Sequence, residues 1–519
     1  MATKINTPDL KVGMFVADLD RPWVDTPFLL QGFLIEDEEQ IATLKMHCEF
    51  VIVDRARSVG DQFAAPAAPL AGSALARGPL PTATSTPAGT GAKGPRPAEA
   101  VEPPPPTPKP APTRQGKVLR LEEVTRRGVP RTGASQEVEA QSGGDGMFGR
   151  MLRGLFGGRK DKDRPAVAAQ LPRVEEPPET PQEYEARAAL IPPGIQVQTY
   201  VNVTTVEEEA PRAREVVAVA GELLDKLVAD IRLGQSFEVD RVEEIVDDMV
   251  ESIVRNPQAL MWVAKLREQD ITAYGHGLQV SVYLTSFGRH LGFPKTQLSQ
   301  LAQIGLLLDI GKIRLPRAIL DKQGRLTDEE FETAKEHVAH GLAILNESAG
   351  FDPTILHAIE QHHERMNGSG YPRGLVGDEI GIFGRMAGIV DCFAALTNHR
   401  PYAAAVSSYE ALRNITAWGG DFFHEPLVQQ FVSSVGVFPV GSLIELSTGE
   451  VAVVVEHSKV RRLRPRVLVV TGPDKTPATY PTMVDLLYDP KMGAEEPAFI
   501  KRGLAPGAYG LNLADFYLA

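Results

Sequence analysis

His362-His363-Glu364, followed by Gly368-Ser369-Gly370-Tyr371-Pro372, is the stretch on which the reading of this chain turns. It sets two adjacent imidazoles and a carboxylate beside a turn in which glycines admit conformations closed to other residues and proline fixes its own φ. A second stretch, Leu308-Asp309-Ile310-Gly311-Lys312, places an Asp and a Lys at the end of an apolar run. Imidazoles with carboxylates form a donor set suited to iron, manganese or zinc. The two stretches read as parts of one metal-centred pocket.

Working outward, apolar residues recur at three- and four-residue spacing through 196–430. That spacing predicts helices over 210–233, 239–254, 278–291, 297–308, 328–345, 355–363, 383–397 and 409–418. Asn256-Pro257 and Gly292-Phe293-Pro294 separate some of them, as helix-stopping residues should. Eight of the eleven histidines lie between 276 and 399, so the imidazole chemistry is concentrated in this helical region.

The flanks differ in texture. Residues 1–56 suggest a small β-rich module, with strands at 12–16, 28–35 and 51–53 and a short helix over 38–47. Residues 57–195 are rich in Pro, Ala and Gly, including Pro103-Pro104-Pro105-Pro106. They cannot bury enough apolar surface to offset chain entropy and are expected to form a disordered linker. Proteolysis should therefore cut between about 60 and 190 and leave a helical C-terminal fragment; a protease-resistant stretch there contradicts the assignment.

Within that stretch, 147–160 combines apolar residues at helical spacing with Arg150, Arg153, Arg159 and Lys160. This suggests weak contact with a membrane or a partner, although four glycines oppose a stable helix there. Residues 431–519 read as a small β appendage, with strands at 441–446, 451–455 and 466–470 and a hairpin turn at Ser447-Thr448-Gly449-Glu450.

Bulk composition narrows the function classes. A net charge of −13 argues against a binder of nucleic-acid polymers, which needs a basic face, but leaves room for a small anion held by local cations. Two cysteines, Cys48 and Cys392, far apart in sequence, predict a reducing compartment and no disulfide framework. The absence of a signal-peptide core or a long apolar run predicts a soluble, cytoplasmic protein with no membrane span.

The order of these motifs resembles the HD-GYP phosphodiesterase family. The resemblance is carried by Leu308 to Lys312, Leu326-Thr327-Asp328-Glu329-Glu330, Lys335-Glu336-His337, His362-His363-Glu364-Arg365, Gly368 to Pro372, Asp391 and Arg400-Pro401-Tyr402. It covers about 265–420, and the first 55 residues resemble an accessory domain often found ahead of such modules. The implied fold is mainly α, an HD-type helical bundle with a small N-terminal β-rich domain and a small C-terminal β appendage.

The resemblance implies hydrolysis of cyclic di-GMP at a centre of divalent metal, iron or manganese. His276, Asp309, His337, His362, His363 and Asp391 fall on its metal-ligand positions, with Asp309 as the bridging carboxylate. Asp309 and Lys312 fall on catalytic positions; Lys312, Arg400 and Tyr371 fall on substrate-binding ones. Gly368, Gly370, Tyr371 and Pro372 form the signature loop, associated with partners such as GGDEF-type or other signalling proteins.

The departures matter as much. Leu308 stands where the family has a metal-ligand histidine, and leucine offers no lone pair. Asn367 and Ala394 stand where aspartates are common, Thr272 where a glutamate supports a third metal, and Ala403 where a basic residue is common. Three functions remain open: a catalytically impaired module acting by binding nucleotide or a partner, a working phosphodiesterase, and an interaction scaffold with no ligand.

Overall fold

The computed structural model describes residues 2–20, 33–35, 38–54, 58, 181–236, 238–266, 275–348, 350–398, 404–457, 463–488 and 497–513. The central part of the expected linker, the 147–160 segment, Thr272, Arg400, Tyr402 and Ala403 lie outside the described residues.

The N-terminal module consists of β1 (Ala2–Asn6), β2 (Phe15–Leu19), β3 (Phe33–Leu34), α1 (Glu38–His47) and β4 (Phe50–Asp54). Its antiparallel sheet has the order β1-β4-β2-β3. Val16, Ile41, Leu44, Val51 and Val53 are buried in a small core of their own. The strand expected at 12–16 begins later because Gly13 adopts a φ of +92°, a turn conformation open mainly to glycine. Most of the strand expected at 28–35 lies outside the described residues.

The helical body runs through α2 (Pro181–Ala188), α3 (Val206–Arg232), α4 (Val239–Arg255), α5 (Pro257–Leu266), α6 (Gly275–Leu291), α7 (Lys295–Leu307) and α8 (Arg317–Leu320). It continues through α9 (Asp328–Lys335), α10 (His337–Glu347), α11 (Pro353–Gln361), α12 (Ile382–Thr397), α13 (Ser408–Ala417) and α14 (Glu425–Val435). Capping boxes start α3 at Thr205, α9 at Thr327 and α13 at Ser407, each satisfying backbone N–H groups that a helix start leaves unpaired. Among the described residues, no helix is long and apolar enough to cross a membrane.

Behind these come β5 (Leu443–Leu446), β6 (Val451–Glu456), β7 (Arg466–Thr471), β8 (Pro477–Asp485) and β9 (Ile500–Leu504), an antiparallel sheet ordered β8-β7-β6-β5-β9. Its inner residues, such as Val453, Val455 and Val467, belong to the same continuous apolar core as the helices. Tyr409 of α13 stacks on Phe438 with centroids 5.4 Å apart. Burial of each such large apolar side chain contributes on the order of 1.5–3 kcal/mol.

Three expectations need correction. The linker does not run to 195: Pro181–Ala188 is helical, Ile191 joins the main core, and Arg187 donates to Leu291 O at 2.7 Å. The helix expected over 328–345 is two helices, because the chain bends at Glu336, whose N–H bonds back to Thr333 O in a tightened last turn. Helices α5 and α14 and strands β1, β8 and β9 stand where the sequence pattern predicts no such element. β8 carries Pro477 and Pro481, which obscure a strand in sequence but are tolerated at a sheet edge.

Candidate metal centre

The site is built where five segments meet: the start of α6, the turn after α7, the start of α10, the end of α11 with its following loop, and the middle of α12. Helices α6 and α7 cross closely; a Cβ on Gly305 would lie 2.3 Å from Ser281 Cα. This contact brings the start of α6, with His276, to the end of α7, where Asp309 stands. The turn Ile310–Arg314 then lies directly on α10, since a Cβ on Gly311 would lie 1.9 Å from His337 O. Glycine at 311 is thus what lets Asp309 approach His337.

Asp309 is buried and central. One of its oxygens, Oδ2, accepts from Lys312 Nζ at 2.5 Å and lies 3.8 Å from His276 Nε2. The other, Oδ1, lies 3.6 Å from His337 Nε2 and has no hydrogen-bond partner among the described residues. His276 Nε2 meets Asp391 Oδ1 at 2.8 Å. Two groups of donors result: Asp309 with His337, His362 and His363, and Asp309 with His276 and Asp391, each group with its donor atoms within 4.8 Å of one another.

The backbone settles the tautomers. His337 Nδ1 donates to Ala334 O at 2.7 Å and His362 Nδ1 to Ile359 O at 2.6 Å. A carbonyl can only accept, so each Nδ1 carries the proton and each Nε2 is left a lone pair. Both Nε2 atoms are buried without a hydrogen-bond partner among the described residues. Buried polar atoms are rarely left so, and here two lone pairs and a carboxylate oxygen share one pocket. The residues present therefore fit a divalent cation, which would bring each of these atoms the partner it lacks.

Electrostatics agree with that fit. Burial pushes the Asp309 carboxyl up, but the Lys312 ammonium and the His276, His337 and His362 imidazoles outweigh it and hold it well below the usual carboxylate range. Burial likewise raises Asp391, and the hydrogen bond from His276, together with the attraction of His276 and His362, outweighs it and holds the carboxyl below its usual range. Burial lowers His337 to about 4 and also depresses His362 and His363, so these imidazoles stay neutral near pH 7.

A pH dependence follows with a definite sign. Below its ordinary value of 6.5 an unfolded histidine takes up a proton that folded His337 refuses until about 4. The unfolded state then binds more protons, so stability falls as pH drops across that window. For His337 the loss by pH 4.5 is on the order of 2 kcal/mol. Urea midpoints of the metal-free protein should fall between pH 6.5 and 4.5, and fall less in His337→Gln; equal slopes in both proteins contradict this.

Leu308 takes no part in the donor set. It closes α7, its N–H bonding Ile304 O at 2.9 Å, and its side chain is fully buried in the main apolar core. Ala394 is also fully buried. Asn367 braces the loop that follows it. Its Oδ1 accepts from Ser369 N and Oγ, and its Nδ2 donates to Asp421.

The signature loop lies over the imidazoles. Tyr371 rests on His363 with centroids 4.6 Å apart and planes tilted by 30°. Gly370 must be glycine on steric grounds, since a Cβ there would lie 2.4 Å from both Glu364 Cα and Arg365 N. Gly368 adopts a φ of +79°, and the Tyr371-Pro372 peptide is cis.

Glu364 is the residue whose role the sequence did not disclose. Its buried carboxylate accepts from the backbone N–H groups of Arg373, Gly374 and Leu375 at 2.7, 3.1 and 2.9 Å, tying the far side of the loop to the histidine pair. The one available signal was an acid standing just before a turn whose amides need acceptors.

Comparison with known proteins places this geometry. Residues 242–423 match the family model described as an HD domain, and residues 2–139 one described as a domain of unknown function (DUF3391). The chain thus carries an HD domain. The curated relatives it matches are cyclic di-GMP and 3'3'-cGAMP phosphodiesterases.

A cyclic di-GMP phosphodiesterase of Pseudomonas aeruginosa is 34% identical over 265 residues, 51% of this chain and 64% of that protein. A 3'3'-cGAMP-specific phosphodiesterase of Vibrio cholerae is 38% identical over 138 residues, 27% of this chain and 30% of the relative. A cyclic di-GMP phosphodiesterase of Thermotoga maritima is 35% identical over 167 residues, 32% of this chain and 45% of the relative. The chain therefore spans less than two thirds of the length of each.

Proposed function

We propose that this protein is a cyclic-dinucleotide signalling module of the HD-GYP type that binds cyclic di-GMP, or a partner, and hydrolyses the nucleotide poorly. The observation that carries this reading is the pairing of a retained donor cluster around Asp309 with a fully buried Leu308 where the family has an imidazole. An iron or manganese ion held there would neutralise phosphodiester oxygens and activate water near neutral pH.

The chain's own residues divide the remaining work. His337, His362 and His363 present neutral lone pairs, and Asp309 supplies the charge that both donor groups share. Lys312, which bonds Asp309 at 2.5 Å, is the cation we assign to substrate phosphate, joined by Arg400 on the strength of the family resemblance. His276 and Asp391 bond each other, so the second donor group is closed on itself and is the weaker half. The group of Asp309, His337, His362 and His363 would therefore hold one ion more firmly than the second group, and a single ion would supply less charge for phosphodiester hydrolysis than a pair.

A working phosphodiesterase is the second reading, favoured by the fact that Asp309 still belongs to both donor groups. The exposed surface beside the signature loop, which includes Val376, is the one we assign to a GGDEF-type or other signalling partner. Metal content of anaerobically purified protein, measured beside cyclic di-GMP turnover by wild type and Leu308→His, separates the readings. Equal turnover by the two proteins sinks the impaired-module reading.

A further inference from the structure

Helix α9 buries none of its own residues, yet it reaches two of the candidate metal ligands. Its last turn supplies Ala334 O, which accepts from His337 Nδ1 at 2.7 Å. On the same helix Phe331 meets the Tyr371 ring edge-on, with centroids 6.3 Å apart. Lys335 Nζ lies 5.0 Å from the Phe331 centroid and 5.5 Å from that of Tyr371, within the range where an ammonium is attracted to an aromatic face. The same ammonium pairs with Glu332 at 2.7 Å.

The contacts continue inward without a break. Tyr371 lies on His363 at 4.6 Å, and His363 on His362 at 4.0 Å. His337 meets His363 nearly at right angles, at 5.0 Å. One short helix therefore holds His337 through a backbone carbonyl and His363 through Tyr371. At its other end α9 is fixed by the Thr327–Glu330 capping box and by an ion pair from Lys322 to Glu330.

We propose that Phe331 and Lys335 are positioning residues for the metal-ligand imidazoles, and that α9 is a clamp whose docking orders His337 and His363 together. The proposal rests on the metal-centre reading above. Neither side chain touches the ion; each acts through Tyr371, and the Ala334 carbonyl moves with them. Since docking favours the ion, the ion must favour docking by the same factor. Partners of this kind beyond the ligands themselves alter metal affinity by roughly 10–100-fold.

The test is a titration of the full chain with Mn²⁺ by calorimetry, for wild type, Phe331→Ala, Lys335→Met and Lys335→Arg. Phe331→Ala and Lys335→Met should bind about 10–100-fold more weakly, and Lys335→Arg, which keeps the cation over both rings, should recover most of the loss. Hydrogen exchange across 328–338 should slow on adding Mn²⁺ to wild type and respond less in Lys335→Met. Affinities in Phe331→Ala and Lys335→Met equal to that of wild type overturn the proposal.

If wild type takes up no Mn²⁺, the metal reading itself fails, and the clamp is judged on metal-free protein. Faster exchange at 336–338 and 362–364 in Phe331→Ala than in wild type then supports it, and unchanged rates refute it.

Discussion

Asp309→Ala should lower affinity for Mn²⁺ or Fe²⁺ by at least about 100-fold, the largest loss expected from any single substitution in the chain. Asp309 is the one residue common to both donor groups, so its removal takes the carboxylate from each. It also leaves the Lys312 ammonium, now held at 2.5 Å, beside the imidazoles with no carboxylate of its own, since Asp391 is already bonded to His276. A cation entering that site meets like charge instead of a carboxylate in a poorly solvated pocket, where such interactions are least screened. Asp309→Asn keeps the shape and loses the charge, so it separates electrostatics from packing and should fail almost as badly. Calorimetric titration reads the affinity, and circular dichroism confirms that the helices remain. Affinity within tenfold of wild type in both variants contradicts a centre organised on Asp309.

Leu308→His should act in the opposite direction, raising cyclic di-GMP turnover by at least about tenfold, the low end of what losing even an indirect metal partner costs. Leu308 is fully buried against the core, so the new imidazole replaces apolar surface with a polar group. Without a ligand to satisfy it, that exchange costs on the order of 1–3 kcal/mol. An ion supplies the missing partner, so the unfolding temperature of the variant should rise more on metal addition than that of wild type, because a ligand that binds only the folded state stabilises it. A variant that folds and binds metal yet turns over no faster than wild type removes Leu308 as the cause of impairment.

Much of the site is legible in the sequence because its histidines and carboxylates stand in the order of a known family's motifs. His337, His362, His363 and Asp309 are implied by the family resemblance, and the structure gathers them into one group of possible donors. His276 and Asp391 follow in the same way and are found bonded to each other. Arg400 lies outside the described residues.

What escapes the sequence is set by backbone and packing. The acceptor for His337 is a main-chain carbonyl, Ala334 O, which has no signature in side-chain identity. Glu364 stands inside a recognisable motif, but its three backbone bonds exist only once the loop has folded over it. The break at Glu336 is hidden because apolar spacing continues through it, although that break is what lets Ala334 hold the first imidazole of α10. Helices α5 and α14 are obscure for related reasons. All of α5 after Pro257 is buried, so it shows no polar face to mark a period, and α14 reads in sequence as the approach to the β appendage.

The most direct test incubates metal-loaded wild-type protein with cyclic di-GMP, isolates the complex, and identifies the retained nucleotide by mass spectrometry. The expected result is intact cyclic dinucleotide held by wild type and linear product released by Leu308→His under the same conditions. Linear product formed by wild type at the variant's rate contradicts an impaired, nucleotide-holding module.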